Sequence, residues 1–257
     1  MAIPIGLQLY SVKAECAKDL AGVLKAVARM GYEGVEFAGY HGRSAEELRK
    51  MLDDLGLKCC GSHTRLPTLL GEELEKTIEF NRVLGNEYLI VPWLDETYRA
   101  SVDAWKATAE KFNGIAERLR PLGMKTGYHC HLGDFVAMGG ETAWDVFLSH
   151  TRPEVVMQLD TGNALAAGVD VTPYFSRYPG RAITVHVKEH KKEHGTDQSH
   201  GVLIGDGDID WPAMLKLCET VGKTKWFIVE AERMEPLGAM DAVEMCLKRL
   251  RAMTKFE

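Results

Sequence analysis

Four side chains able to hold a divalent cation close four successive apolar runs of the sequence. They are His129 in Tyr128-His129-Cys130-His131, Asp160 in Gln158-Leu159-Asp160, His186 in His186-Val187-Lys188, and Glu230 in Val229-Glu230. Two imidazoles and two carboxylates neutralise one 2+ ion. A mixed nitrogen and oxygen set suits Mn2+, Co2+, Zn2+ or Fe2+ better than Ca2+, and Mg2+ stays open. Other runs end in further titratable groups, Glu36 and His63. Lys188 lies two residues past His186, on the same face of a strand by its period of two. Glu230, Lys188, His63 and Glu36 are therefore the candidates for acid and base work. His131 shares a face with His129. Gln158, Tyr10 and Trp93 join it as candidate substrate contacts, the two aromatics as an apolar wall for a substrate face or as plugs of the core. Taken singly, each group has a plainer reading. A lone strand-end histidine is usually just hydrogen-bonded, and Asp160 before Thr161-Gly162-Asn163 could shape a turn. Four suitable groups on four consecutive strands weigh against four separate coincidences.

Convergence of residues so far apart in sequence requires a particular scaffold, and the chain carries its pattern. Helical segments end in an apolar residue and a glycine, then a β-like run follows: Met30-Gly31, Leu55-Gly56, Leu84-Gly85, Leu122-Gly123 and Val221-Gly222. Each pair reads as a helix C-cap feeding a strand. Eight candidate strands result, at Ile5–Leu9, Gly34–Phe37, Leu57–Cys60, Tyr88–Val91, Thr126–His129, Val155–Leu159, Ile183–Val187 and Trp226–Val229. Between them, Leu20, Val23, Leu24 and Val27 form an amphipathic stripe, as do Leu48, Met51, Leu52 and Leu55. Ser44 with Glu47 predicts a capping box, and Asp210 before Trp211-Pro212 an N-cap.

Eight strand–helix units in 257 residues predict a single (β/α)8 barrel spanning residues 1–257, with a parallel eight-stranded sheet. A doubly wound open sheet would carry a glycine-rich phosphate loop after its first strand. The position reads Gln8-Leu9-Tyr10-Ser11-Val12 instead. Barrels of this kind place active sites at the C-terminal ends of their strands, where the chemistry-bearing residues fall.

Composition bounds the function. Hydrophobic residues make up 46% of the chain and charged residues 26%, enough for a large core. The net charge of −6 disfavours nucleic acid as a partner. No apolar run approaches the roughly 20 residues of a membrane span, and the N-terminus lacks signal-peptide character, so a cytoplasmic location is expected. Six cysteines without a C-x-x-C pair fit reduced, buried thiols. The stretch 188–209 is long for a connection and is expected to act as a lid or as a mobile solvated loop. Asp206, Asp208 and Asp210 alternate as in a calcium loop, but the following glycine and distal glutamate are missing. Nothing in one sequence ranks the helix surfaces, and a homo-oligomer stays open.

The strings GLQLYSV (6–12), EFAGYHG (36–42), YHCH (128–131), LDTGNA (159–164), HVKEH (186–190) and WFIVEAE (226–232) resemble the xylose isomerase-like barrels. More narrowly, they are similar to the sugar phosphate isomerase/epimerase group. The resemblance implies one divalent metal ion at the barrel mouth, held by His129, Asp160, His186 and Glu230. It implies a small sugar substrate bound through two adjacent oxygens, with proton transfer through an enediolate. It does not establish a phosphate on the substrate.

Isomerisation or epimerisation of a small keto-sugar or derivative is the leading expectation. The best-understood epimerases of this group place a glutamate where this chain has His129, as one of two opposed bases. That departure raises the alternative, a metal-dependent lyase (dehydratase or hydratase) on a keto-sugar, 3-keto-glycoside or inosose. An endonuclease IV-like nuclease on the same barrel is a distant third, disfavoured by the acidic balance. A non-catalytic sugar-binding barrel would not need so many titratable strand ends.

Overall fold

The computed structural model describes residues 2–254. Eight parallel strands close into a barrel: β1 (Ile5–Gln8), β2 (Gly34–Phe37), β3 (Lys58–His63), β4 (Tyr88–Val91), β5 (Lys125–His129), β6 (Val156–Asp160), β7 (Thr184–Val187) and β8 (Trp226–Val229). Each pairs with its sequence neighbours, and β8 closes the ring onto β1. The helices are α1 (Lys13–Met30), α2 (Ala45–Leu55), α3 (Glu73–Leu84), α4 (Val102–Leu119), α5 (Ala143–His150), α6 (Thr161–Ala166), α7 (Thr172–Arg177), α8 (Trp211–Leu217) and α9 (Ala239–Met253). No helix among the described residues is long and apolar enough to cross a membrane.

The local signals act as read, with one shift. Gly31, Gly56, Gly85 and Gly123 all take positive φ at helix ends. The fifth pair does not: the left-handed residue is Lys223, not Gly222. The segment after α8 closes in a wider turn, Cys218–Gly222, which delays the reversal by one residue. Gly222 is needed for space instead, since a Cβ there would lie 2.8 Å from the Phe175 ring. Ser44 and Glu47 form the full capping box of α2, and Asp210 accepts from the Ala213 N–H at the start of α8.

Between β5 and the helices outside it lies an aromatic cluster. Trp105 and Phe112 of α4 and Phe147 of α5 all meet the Tyr128 ring edge-on. All four rings are fully buried. Successive strand residues face opposite ways, so anchoring Tyr128 outside the barrel fixes His129 inside it. Truncating a ring such as Trp105 would cost about 3–5 kcal/mol.

Candidate metal centre and active site

Strand register assembles the four cation-binding groups. Asp160 at the end of β6 pairs with His186 of β7, and His186 pairs with Ile228 of β8, two residues before Glu230. His129 ends β5 beside Gln158. One ligating atom from each of His129, Asp160, His186 and Glu230 lies within 4.8 Å of all the others. A cation with bonds of about 2.1 Å imposes a spacing of this order. All four are buried.

Two atoms of the set are left in need of a partner. Asp160 Oδ1 accepts from the Asn163 N–H at 2.7 Å and caps α6. Its Oδ2 is buried without a hydrogen bond among the described residues, as is His129 Nδ1. The capping role of Asp160 thus uses Oδ1 alone and leaves Oδ2 free for a cation. Oδ2 lies 4.0 Å from His129 Nε2. Burial pushes the Asp160 carboxyl up to about 6 and holds His129 well below the usual histidine range. A carboxylate oxygen and an imidazole, both desolvated and facing each other without a shared proton, are what a cation would satisfy.

His186 spans two carboxylates. Its Nδ1 lies 2.7 Å from Glu230 Oε2 and its Nε2 lies 2.6 Å from Glu36 Oε2. Burial opposes its charge, but Glu36 and Glu230 together raise it to about 10. Glu36 also accepts from Gln8 Nε2 at 2.6 Å and from Gln158 Nε2 at 2.8 Å. It is fully buried, at the bottom of the site. Gly61 makes room for it, because a Cβ there would come within 2.5 Å of Glu36 Oε1. Gln158 likewise spends its amide inside, donating to Glu36 and Thr184. Its Oε1 therefore accepts from His63 Nε2–H, at 3.1 Å.

Above this floor stand the groups that face the mouth. Lys188 Nζ donates to Glu230 Oε1 at 2.9 Å and to Glu232 Oε2 at 3.0 Å. Burial opposes its charge, and the surrounding carboxylates, Glu230 foremost, keep it protonated. Gly162 lets the lysine stem pass, since a Cβ there would lie 2.8 Å from Lys188 Cγ. The His131 ring packs edge-on against His129 at 4.8 Å and against Trp93 at 5.9 Å, making one wall. Its Nδ1 is buried without a partner among the described residues. Trp93 is 54% exposed and carries Arg99 over its face. Tyr10 is exposed too, but its ring lies under the Lys13 ammonium at 3.8 Å.

The family model for xylose isomerase-like TIM barrels matches residues 24–251. The chain belongs to this family. An inosose dehydratase from Clostridium perfringens is 26% identical over 243 residues, 82% of this chain and 81% of that one. The rhizopine catabolism protein MocC of Rhizobium meliloti is 24% identical, over 82% of this chain and 74% of its own. Among solved structures, a sugar phosphate isomerase/epimerase from Parabacteroides distasonis superposes with a TM-score of 0.78 at 26% identity. The match covers 97% of this chain and 98% of that one. An IOLI protein with a binding zinc atom shares the fold, with a TM-score of 0.73 at 16% identity over 98% of each chain.

In this xylose isomerase-like barrel the long connection after β7 is neither free nor solvated throughout. Glu189 organises it: its carboxylate accepts from Gly205 N–H at 2.8 Å, Trp211 Nε1 at 2.6 Å, Ile209 N–H at 3.3 Å and His190 N–H at 3.1 Å. Further along, Gln198 donates to Asn163 Oδ1, and Gly201 N–H to Arg233 O. The connection thereby walls a cleft shared with Lys188, Glu230 and Glu232. The three aspartates do separate jobs: Asp206 pairs with Arg249, Asp208 caps Lys192 N–H, and Asp210 caps α8. Sequence reasoning passed over Glu189 and Asp134. The signal for Glu189 was a carboxylate in a strand end followed by a long glycine-bearing connection. Asp134 accepts from Tyr128 Oη and from His131 N–H, linking the aromatic cluster to the His131 wall, and its spacing alone carried no such signal.

Proposed function

We propose that this chain is a divalent-metal-dependent lyase that removes a β-oxygen substituent, as water in the simplest case, from a small cyclic keto-polyol or keto-sugar. The observation that carries this reading is the buried set of His129, Asp160, His186 and Glu230 with the Lys188 ammonium hydrogen-bonded at its edge. It is supported by relatives named inosose dehydratase that align over four fifths of the chain. His129, Asp160, His186 and Glu230 would hold the cation, and Glu36 would fix the His186 ring through Nε2. When bound, the cation supplies Lewis-acid polarisation of the substrate carbonyl.

The chain's own groups then handle the protons. The α-proton goes to a base, its C–H electron pair forms the new double bond, and the C–O pair leaves with the β-oxygen. That oxygen takes a proton and departs as water, and the enol left behind becomes a 1,2-diketone. His131, whose ring packs edge-on against His129, would take the α-proton. The Lys188 ammonium, hydrogen-bonded to Glu230, would give one to the leaving oxygen. His63 donates inward to Gln158 and serves to shape the floor. Trp93 offers an apolar face at the rim.

Isomerase or epimerase chemistry is the second reading, favoured by the name of the Parabacteroides distasonis structure. It uses the same cluster and differs in what leaves. The test is incubation of Mn2+- or Co2+-loaded protein with an inosose in D2O, with mass analysis of the product. Loss of water with formation of a cyclic 1,2-diketone is expected. A product that gains deuterium but keeps all its oxygens would overturn the lyase in favour of the isomerase.

A further inference from the structure

Beside the metal centre, on the far side of His63, lies a pocket of about 310 Å3. Its lining comes from the connection after β2 (Tyr40), the end of β3 and the turn beyond it (His63, Thr68), and α3 (Phe80). Arg65 stands at its edge. The Tyr40 and Phe80 rings lie 4.3 Å apart and make an aromatic floor, both half-buried. The hydroxyls around it are already used: Tyr40 donates to Asn81, Thr68 to Arg65 O, and Thr77 to Thr68 O. With these hydroxyls engaged, the pocket offers ring faces, and the Arg65 and Lys76 side chains add cationic donors to its lining. His63 is the shared wall. Its ring stacks on His186 at 5.3 Å and packs against His129 at 5.0 Å, and it also lines the pocket. A substrate ring seated over His129 and His186 would direct a substituent past His63 into this space.

We propose that this pocket binds the second, non-reacting ring of a two-ring substrate, a ring with an apolar face linked through oxygen to the keto-ring at the metal centre. The assignment rests on the lyase reading for which ring reacts, and deepens it by naming a substrate larger than one ring. A volume of this size lies at the lower end of small-molecule sites and suits one ring. Two adjoining aromatic side chains, tilted by 33° to one another, suit either an aryl group or the apolar face of a sugar.

The experiment is calorimetric binding of three unreactive probes to Mn2+-saturated protein: methyl β-D-glucoside, 4-nitrophenyl β-D-glucoside and cellobiose. At least one two-ring probe is expected to bind about tenfold more tightly than the methyl glucoside. An advantage for the nitrophenyl probe alone assigns an aryl occupant, and one for cellobiose a sugar. Thr68→Trp, which fills the pocket from its rim, should erase the advantage and leave the methyl glucoside affinity unchanged. Phe80→Leu, which keeps apolar volume but removes the ring face, should reduce the advantage several-fold. Thermal melts of both variants confirm folding. Equal affinity for the three probes, including no detectable binding of any, overturns the proposal, as does an advantage that survives Thr68→Trp. Turnover of an inosose by the wild type is read in parallel. Inosose turnover without a two-ring advantage sinks the pocket alone, whereas the advantage with no elimination from either an inosose or the keto form of the tighter two-ring probe sinks the lyase and keeps the pocket.

Discussion

Glu36 Oε2 lies 2.6 Å from His186 Nε2, joining the second strand of the barrel to the seventh. This contact gives Glu36 a task that needs no reach to the substrate. It orients the imidazole whose other nitrogen faces Glu230, as a carboxylate behind a metal-bound histidine does. Gln8 and Gln158 both donate to the same carboxylate, so an amide in its place would point one donor at another. Glu36→Gln is expected to weaken Mn2+ or Co2+ affinity by about 10–100-fold. It should also lower stability by about 1–3 kcal/mol. Metal titration and a denaturant melt read the two effects. Activity that returns at saturating metal marks a positioning residue, and activity that stays lost would put Glu36 in the chemistry.

Asp160 has two oxygens with two tasks, and two substitutions separate them. Asn keeps an oxygen for the Asn163 N–H and remains a good N-cap. Asp160→Asn should therefore lose bound metal, read by elemental analysis, with a melting temperature near that of the metal-free wild type. Asp160→Ala loses the cap as well, and should be less stable by a further ~1 kcal/mol. If the Asn variant keeps its metal, Asp160 is a helix cap and not a ligand.

The barrel was legible in the sequence because its strands are short, mostly apolar runs, four of them (β2 to β5) introduced by a glycine-capped helix end. The His129, Asp160, His186 and Glu230 set was legible for a related reason: all four stand where an apolar run stops. What the sequence could not show is which oxygen or nitrogen of each faces inward. Glu36 read as an acid–base candidate, and Gln158 as a substrate contact, because a strand end looks the same whether it opens to the mouth or is sealed beneath another side chain. His186 seals Glu36, and the amide of Gln158 is consumed by Glu36, Thr184 and His63. Val221-Gly222 failed as a cap because packing against Phe175, not backbone conformation, requires that glycine.

Glu189 is expected to be structural. Its four N–H donors lie on residues from His190 to Trp211, so one buried carboxylate holds both ends of the connection. Glu189→Gln removes the charge that strengthens these bonds and should cost about 1.5–3 kcal/mol. Limited proteolysis should then cut within 190–209 in the variant and not in the wild type. Equal resistance in the two proteins would show that the connection is held by its other contacts.

Asp134 gives a pH dependence away from the His129, Asp160, His186 and Glu230 cluster. The carboxylate is buried between Tyr128 Oη and His131 N–H. Burial raises it from 3.8 to about 6, against the opposing pull of those two hydrogen bonds and Arg99. The folded chain thus binds this proton more tightly than the unfolded chain does. The sign follows: the contribution to stability is fully present below the unfolded value and is lost as pH rises through about 6. For a shift of this size the loss has an upper value of about 3 kcal/mol. Asp134→Asn, which cannot titrate but still offers an acceptor to His131 N–H, should remove it. Urea melts at several pH values between 4 and 7 are the measurement. Wild-type stability should fall relative to the variant as pH rises across that interval. A difference that does not change with pH would show that the carboxyl titrates near its ordinary value in the folded chain, and that water reaches it.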